Sequence, residues 1–230
     1  MTTLDDVLAS AARLQTLVPD AVLVGGSAAA LYAGHRESFD HDHVLTDLAE
    51  RYAQVVEAVE ASEGWVTSVR ASSPPLTLLG SLDGIEAGLR QLRRTRPLEV
   101  TRVVLPDDAG QVAVPTLPEM LRVKAYLVVQ RNVVRDYLDT VALADRIGHL
   151  DALPTLVEID DYYADRSEED GSVLTALVQR LSQPEPRDTT VTRQLDRYRG
   201  LAARWHDWSS VVAACHRIAD GLLHVVEDQP

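Results

Sequence analysis

The stretch that decides the fold is Val22-Leu23-Val24-Gly25-Gly26-Ser27-Ala28-Ala29-Ala30-Leu31. Its apolar start is typical of a short buried strand, and the alanine-rich run after the glycine pair predicts a helix. Paired glycines let a backbone approach a bound phosphate closely, and the amino terminus of a helix favours an anion. The stretch therefore predicts a strand, a glycine turn and a helix that together could bind an anion.

The residues around this stretch predict an α/β region that extends to residue 115. Amphipathic patterns predict helices at residues 4–17 and 47–61. Short apolar runs separated by Pro and Gly predict strands at residues 44–45, 65–69, 76–79, 84–92, 98–105 and 112–114. The run Asp107-Asp108-Ala109-Gly110 predicts a hairpin turn between the last two strands.

From residue 116 onward the pattern is helical. Helices are predicted at about residues 117–130, 133–147, 172–181 and 194–227. The acidic stretch 156–170 is interpreted as a solvated face or a mobile connection. We therefore predict an α/β fold with a mixed sheet in residues 1–115, followed by a helical C-terminal region, 116–230, that completes a functional cleft.

The composition bounds the class of protein. The 230 residues carry a net charge of -13, and 46% of them are apolar, which is enough for a packed core. Cys215 is the one cysteine, so an internal disulfide and a thiolate metal cage are excluded. No run reaches the roughly 18–20 apolar residues of a membrane span, and the first residues do not resemble a secretory signal. We therefore expect a cytoplasmic protein with no membrane partner, and its acidity argues against broad nucleic-acid coating.

The densest polar cluster runs from His35 to His43. Asp40 and Asp42 are two residues apart, so on a strand they project from the same face. Two such carboxylates repel each other unless a cation lies between them, and Mg²⁺ commonly takes one or two protein carboxylates. His41 and His43 would then face the other way, which makes a zinc site with the aspartates geometrically poor; the alternative is that these histidines are structural.

Lys124 is the one lysine of the sequence, and it lies on the apolar stripe of a predicted helix. An inward lysine needs a partner or a phosphate, because an unpaired buried ammonium is costly. The alternative is that it extends to the rim of the core. Further along, Arg135 and Asp139 have the spacing of a helix-stabilising ion pair, whereas Asp136 lies on another face, from which it could orient Lys124 or a substrate.

Residues 89–96 contain the four arginines Arg90, Arg93, Arg94 and Arg96. This basic segment could bind nucleic-acid phosphates, but it could equally be a solubilising loop or pair with the acidic residues 158–170. In the tail, Trp205 and Trp208 are expected on one helix, where they pack in the core.

Four ordered motifs resemble the AbiEii-type nucleotidyltransferases of the polymerase-β-like superfamily, over about residues 22–147. They are Gly25-Gly26-Ser27, then His35-Arg36-x-Ser38-x-Asp40-x-Asp42, then Lys124, and then Arg131 with Arg135-Asp136-Tyr137-x-Asp139. The resemblance implies a nucleotidyltransferase-type fold and an enzyme that uses a nucleoside triphosphate (NTP) and Mg²⁺. It implies that Asp40 and Asp42 bind the metal, that Gly25, Gly26 and Ser27 bind the triphosphate, that Lys124 contacts phosphate, and that Asp136 is catalytic or positioning.

Many members of this family are toxins of toxin–antitoxin pairs, and some add nucleotides to tRNA ends. The resemblance thus implies a tRNA or protein acceptor and a cognate antitoxin. The clustering of arginines in an acidic chain predicts that the basic segment holds part of that acceptor. A third metal-binding carboxylate is expected on a neighbouring strand. Glu86 and Glu99 both fit, and Glu99 is preferred because Pro97 precedes it and β-branched residues follow.

The sequence-based hypothesis is Mg²⁺-dependent transfer of a nucleoside monophosphate (NMP) group from an NTP to an acceptor hydroxyl. Two alternatives stay open. One is a catalytically silent module that binds a nucleotide or a partner, and the other is an enzyme that nucleotidylates a small hydroxylated molecule.

Overall fold

The computed structural model describes residues 2–166 and 171–227, and it divides into two compact units. The first unit takes Met1–Leu31, Glu37–Arg93 and Pro97–Thr116; the second takes Tyr32–Arg36, Arg94–Arg96 and Leu117–Pro230. Relative to a division at residue 115, two short segments of the first half, 32–36 and 94–96, group with the helical region.

The first unit combines helices and strands in the order that the sequence predicts. Its elements are α1 (Leu4–Leu17), β1 (Val22–Val24), α2 (Gly25–Ala33), β2 (Asp40–Leu45), α3 (Leu48–Glu60), β3 (Trp65–Thr67), β4 (Thr77–Leu82), β5 (Ile85–Gln91), β6 (Val100–Val104) and β7 (Gln111–Pro115). Strand β1 leads directly into α2 at Gly25, which confirms the predicted strand, glycine turn and helix.

Five of the strands form a mixed sheet in the order β1-β2-β5-β4-β3. Strands β2 and β5 are parallel, and the other neighbouring pairs are antiparallel. Strands β6 and β7 form a separate hairpin, at whose tip Asp107 and Asp108 adopt positive φ angles, as a tight turn requires. The predicted mixed-sheet α/β fold with a helical C-terminal region is confirmed.

One face of the five-stranded sheet is apolar and packs on the helices of the same unit. Its buried side chains include Leu45 of β2, Leu78 of β4 and Leu89 of β5, which pack with Leu14 of α1 and Val55 of α3. Side chains at the intervening positions of these strands point to the other side of the sheet, as the period of two requires, and several of them are charged. The opposite face of the same strands is therefore the one that carries polar side chains.

The described part of the second unit is helical. Its elements are α4 (Leu117–Arg131), α5 (Val134–Ile147), α6 (His149–Val157), α7 (Ile159–Tyr162), α8 (Val173–Ser182), α9 (Thr189–Thr192), two 3-10 turns (Leu195–Arg197 and Ala203–Trp205) and α10 (Trp208–Glu227). Asn132 separates α4 from α5 in a left-handed conformation, φ 52°. Its Oδ1 accepts a hydrogen bond from the Tyr137 hydroxyl at 2.7 Å, and its Nδ2 donates to the Glu185 carbonyl at 2.8 Å, so the break between the helices is fixed.

Two predictions for this region were wrong in part. The helix predicted at residues 194–227 is interrupted, so Trp205 ends a 3-10 turn and Trp208 begins α10 instead of sharing one helix. The acidic stretch is not merely a solvated connection, because it contains α7 and buries Tyr162 and Tyr163. Three of its acidic residues, 168–170, lie outside the described residues. Among the helices of residues 2–166 and 171–227, none is both long and apolar enough to cross a membrane.

Candidate active site

The polar face of the five-stranded sheet carries a row of side chains across four strands. Strand register places Asp40 of β2 beside Glu86 of β5, Glu86 beside Ser81 of β4, and Ser81 beside Val66 of β3. Residues paired across neighbouring strands lie on the same face of a sheet. The row therefore begins with two carboxylates and ends with the exposed side chain of Val66.

A second row on the same face is built around a glycine. Asp42 of β2 pairs with Gly88 of β5, and Gly88 pairs with Leu79 of β4. A Cβ added to Gly88 would come within less than 3.0 Å of Oδ1 of Asp42, closer than real Cβ contacts, and 3.0 Å from Cδ2 of Leu79. On the other side, a Cβ on Gly25 would lie 3.4 Å from that of Asp42. The Asp42 carboxylate is thus seated above one glycine and beside the glycine turn.

Asp40 and Asp42 line the same cleft of approximately 480 Å³, together with Glu86 and Arg90. Within it, Oδ1 of Asp40 accepts a hydrogen bond from the Ser38 hydroxyl at 3.0 Å. Oδ1 of Asp42 accepts one from Nε of Arg90 at 3.2 Å. The structure therefore brings the two predicted carboxylates together, and each has a partner from its own unit.

The donor set of this cleft can be compared with what a divalent cation needs. Across residues 2–166 and 171–227, no group of three or more His, Cys, Asp or Glu side chains is arranged to hold a metal ion. Mg²⁺ typically takes only one or two carboxylates and completes its shell with water and phosphate oxygens. Asp40 and Asp42 fit such a cation, one that shares its shell with a phosphate ligand.

The preferred third carboxylate, Glu99, does not lie beside the aspartates in the sheet. It precedes β6, whose partner is β7, whereas Glu86 lies on β5, the strand that pairs with β2. Pro97 and the β-branched residues after Glu99 do mark a strand, but local sequence cannot show which strand pairs with which. Glu86, unlike Glu99, therefore lies beside Asp40 in the sheet, although Asp40, Asp42 and Glu86 do not form a three-carboxylate metal site within the described residues.

The Ser27 hydroxyl, predicted to bind the triphosphate, already has a partner within the first unit. Ser27 is fully buried in the first turn of α2, and its hydroxyl donates to the backbone carbonyl of Asp40. In this arrangement its side chain joins the glycine turn to β2 and has no proton to donate to a phosphate. Gly25 and Gly26 are partly exposed.

His41 and His43 are buried on the side of β2 opposite the aspartates. A ring nitrogen of His41 lies 3.0 Å from the Ser10 hydroxyl. Burial lowers the pKa of His41 to about 4, and burial also lowers the pKa of His43 well below its usual value. Both rings are therefore neutral near pH 7, and their position agrees with the structural alternative rather than with a zinc site shared with Asp40 and Asp42.

In the second unit, Lys124 belongs to a buried charge cluster centred on Asp139. Nζ of Lys124 lies 2.7 Å from Oδ2 of Asp139. The same carboxylate accepts hydrogen bonds from Nε and Nη2 of Arg36, at 2.7 and 3.0 Å, and lies 2.7 Å from Nε2 of His35. Burial alone would raise the pKa of Asp139, but Lys124 and Arg36 hold it well below its usual value. Asp139 is therefore ionised and links motifs that are distant in sequence.

Asp136 lies one turn earlier on α5 and has a different environment. It is fully buried, and neither carboxylate oxygen has a hydrogen-bond partner among the described residues. Burial raises its pKa, and the nearby charge of Lys124 opposes that rise. From the sequence, Asp136 could orient Lys124 or a substrate, and Arg135 and Asp139 have the spacing of an ion pair; the structure pairs Lys124 with Asp139. Asp139 is the residue that the sequence analysis undervalued.

The four arginines of the basic segment belong to two units and have different environments. Arg90 lines the cleft of the first unit. Arg94 is buried in the second unit and forms an ion pair with Glu119, which Arg122 also contacts at 3.0 Å, so its predicted role as an acceptor contact is wrong. The guanidinium carbon of Arg96 lies 3.6 Å from the ring centre of Tyr162, in the acidic stretch. This contact supports the alternative in which part of the segment packs on residues 158–170.

No family model matches the chain. Among curated relatives, the mycolic acid-containing lipids exporter MmpL11 of Mycolicibacterium smegmatis is 33% identical over 132 residues, which covers 57% of this chain. The heme uptake protein MmpL11 of Mycobacterium tuberculosis is 29% identical over 241 residues, which covers 94% of this chain. The chain spans only 13% and 22% of the length of these two relatives.

Two solved structures are similar to this chain. An antigenic nucleotidyltransferase-like protein from Paracoccidioides brasiliensis has a TM-score of 0.45 and 16% identity, over 76% of this chain and 92% of that one. JHP933 from Helicobacter pylori has a TM-score of 0.48 and 15% identity, over 96% of this chain and 95% of that one.

Proposed function

We propose that the protein is an Mg²⁺-dependent nucleotidyltransferase that moves an NMP group from an NTP to an acceptor hydroxyl. One observation carries the proposal. Asp40 and Asp42 line one open cleft, above Gly88 and beside the glycine turn at the start of α2. A carboxylate pair next to a backbone suited to phosphate is what a metal–triphosphate complex needs.

In the proposed reaction the acceptor oxygen attacks the α-phosphorus, and the bond to the bridging oxygen of pyrophosphate breaks. Asp40 and Asp42 would hold the Mg²⁺ ion, which would supply positive charge against the charge that develops on the phosphate oxygens. The acceptor hydroxyl loses its proton, and we propose that the Glu86 carboxylate takes it; the support is that Glu86 pairs with Asp40 across β2 and β5. Gly25 and Gly26 bind the triphosphate through their backbone amides.

The other predicted groups, Lys124 and Asp136, belong to the second unit. We propose that Lys124 contacts a phosphate of the nucleotide, as the resemblance implies, and that Asp139 fixes the position of its ammonium group. Asp136, a buried carboxyl without a hydrogen-bond partner in the described part of the chain, is proposed as a catalytic or positioning group. Its raised pKa suits a carboxyl that exchanges a proton during turnover.

The acceptor is proposed to be a tRNA or a protein, and the enzyme the toxin of a toxin–antitoxin pair that a cognate antitoxin neutralises. The basic segment supports an acceptor contact through Arg93, which is exposed. Arg94 does not support an acceptor contact, because it is buried in an ion pair with Glu119.

The test is transfer of label from each α-³²P-labelled NTP to total tRNA or to cell-lysate protein, with and without Mg²⁺. We expect the wild-type protein to label one of these fractions, and Asp42→Asn to lower the rate at least about 100-fold. Asp108→Asn, a change at an exposed turn position whose left-handed backbone Asn tolerates, is the matched control and should retain the rate. Nucleotide binding without transfer to any fraction, small molecules included, would contradict the proposal and favour a silent binding module.

A further inference from the structure

Arg90 is the one Lys or Arg side chain that lines the cleft of Asp40, Asp42 and Glu86 in the described part of the chain. It lies on β5 two residues after Gly88, and therefore on the same face. Strand register places Val44, not Asp42, directly beside Arg90. The Arg90 guanidinium therefore reaches Asp42 diagonally, across a position that stays open because Gly88 has no side chain.

The contact joins Nε of Arg90 to Oδ1 of Asp42 at 3.2 Å. The side chains are 44% and 31% exposed. An arginine keeps its charge at any physiological pH, so it neutralises Asp42 for as long as no other cation takes that carboxylate. An ion pair this exposed changes an equilibrium constant by only about two- to fivefold, so a divalent cation can displace it.

We propose that Arg90 is the internal counterion of the cation site, which neutralises Asp42 before metal binds and contacts the phosphate chain of the nucleotide once Mg²⁺ has replaced it. This inference rests on the proposed function, because it takes Asp42 as a metal ligand. Among the described residues, neither terminal nitrogen of Arg90 has a hydrogen-bond partner. Those nitrogens form the planar fork that binds phosphate oxygens in pairs.

The proposal predicts opposite effects of one substitution on two ligands. In Arg90→Gln the competitor for Asp42 is gone, so metal alone should bind more tightly. The same variant lacks the guanidinium that contacts phosphate, so a metal–polyphosphate complex should bind more weakly. A residue that only stabilises the sheet would change both affinities in the same direction.

The experiment measures free Mn²⁺ by electron paramagnetic resonance, with the protein alone and with inorganic tripolyphosphate, which carries no base. For Arg90→Gln we expect Mn²⁺ to bind about two- to fivefold more tightly without phosphate. We expect tripolyphosphate to bind about fivefold more weakly, or worse, in saturating Mn²⁺. Arg102→Gln, which removes an exposed arginine of β6 outside the cleft, controls for net charge and should match the wild type within about 1.5-fold.

Arg90→Gln tests the counterion role, whereas Asp42→Asn tests the cation site on which the proposed function depends. If Arg90→Gln behaves like Arg102→Gln, or shifts both affinities in one direction, the counterion role is overturned while the cation site stands. Asp42→Asn tests the site itself and should weaken Mn²⁺ binding at least about tenfold. Unchanged Mn²⁺ binding in Asp42→Asn, or no Mn²⁺ binding by the wild type, overturns the cation site and the role of Arg90 with it.

Discussion

Lys124 and Asp139 form a buried ion pair, with Nζ of the lysine 2.7 Å from Oδ2 of the aspartate. The two residues lie on successive helices, α4 and α5. Arg36 and His35, from the segment that follows α2, contact the same carboxylate. The one lysine of the chain and the His-Arg motif near its start are therefore parts of one cluster.

Replacing Lys124 should be costly both for stability and for phosphate binding. Lys124→Ala leaves Asp139 with Arg36 but removes one partner of a buried carboxylate, so we expect a loss of about 3 kcal/mol in the free energy of unfolding. Lys124→Arg should not restore tripolyphosphate affinity, because the larger planar head does not fit the place of a compact ammonium. Urea unfolding and calorimetric titration measure the two effects.

Gln130→Ala is the matched control for Lys124, because it truncates an exposed side chain near the end of the same helix, outside the motifs of the resemblance. It should change the free energy of unfolding by no more than about 0.5 kcal/mol. Wild-type tripolyphosphate affinity in both Lys124 variants would contradict a phosphate role and leave the lysine as a structural partner of Asp139.

Gly88 should be required for the position of Asp42. In Gly88→Ala the new Cβ would collide with Oδ1 of Asp42 and touch Leu79, so the carboxylate must move. We expect a loss of about 1–3 kcal/mol in stability from the crowding, and at least tenfold weaker Mn²⁺ binding. Thermal unfolding and Mn²⁺ titration give the two numbers.

Gly84→Ala, in the turn between β4 and β5, separates these effects. Its φ of 81° makes alanine unfavourable there, but no atom lies within 4 Å of the added Cβ. The control should therefore lose roughly 1 kcal/mol of stability and keep wild-type Mn²⁺ binding. Equal Mn²⁺ binding in both glycine variants would show that Asp42 does not depend on the open space above Gly88.

Asp136 and Asp139 should affect the pH dependence of stability in opposite ways. The pKa of Asp139 in the folded protein lies below that of the unfolded chain, about 3.9, so its stabilisation is present at neutral pH and is lost as the pH falls below about 4. The pKa of Asp136 is raised by burial, so its contribution is largest below about pH 4 and is lost as the pH rises through its folded pKa.

Asp136→Asn should therefore raise the free energy of unfolding at pH 7 by about 1 kcal/mol, because it removes a buried charge without a hydrogen-bond partner in the described residues. Asp139→Asn should lower it by about 3 kcal/mol or more at the same pH, because it leaves Lys124 and Arg36 without their counterion. Urea unfolding from about pH 2 to about pH 8 measures both curves, because the Asp139 effect is lost only below about pH 4. If Asp136→Asn also abolishes transfer, Asp136 serves the reaction at the expense of stability.

The local motifs were predictable from the sequence, whereas the pairing of distant groups was not. The alternation of His and Asp in residues 40–43 predicted which side chains share a face, because the strand period is local. The preference for Glu99 rested on local signals, and these could not show that β5, which carries Glu86, is the strand that pairs with β2. Gly88, inside a predicted strand, was an overlooked signal of a close approach, since such glycines often mark one.

The partners of the basic segment could not be predicted from the local sequence either. Four arginines in residues 90–96 predicted a surface that binds the acceptor. Arg94 is instead buried in an ion pair with Glu119, and Arg96 lies over the ring of Tyr162. Those partners are distant in sequence, so no local pattern predicts them. The sequence shows that the arginines are clustered, but only the structure shows which of them are exposed to a ligand.

Arg93 and Arg94 are neighbours in the sequence, but Arg93 is exposed and Arg94 is buried. Arg94→Ala should cost about 3 kcal/mol of stability, because Glu119 is buried and keeps only part of its ion pairs. Arg93→Ala, at an exposed position, should change stability by no more than about 0.5 kcal/mol. If tRNA is the acceptor, Arg93→Ala should reduce the slope of log affinity against log salt by about one, since one phosphate contact releases about one counterion. Filter binding of tRNA between 50 and about 200 mM salt measures that slope. An unchanged slope and affinity would remove the basic segment from the acceptor site and leave a protein acceptor as the better-supported substrate.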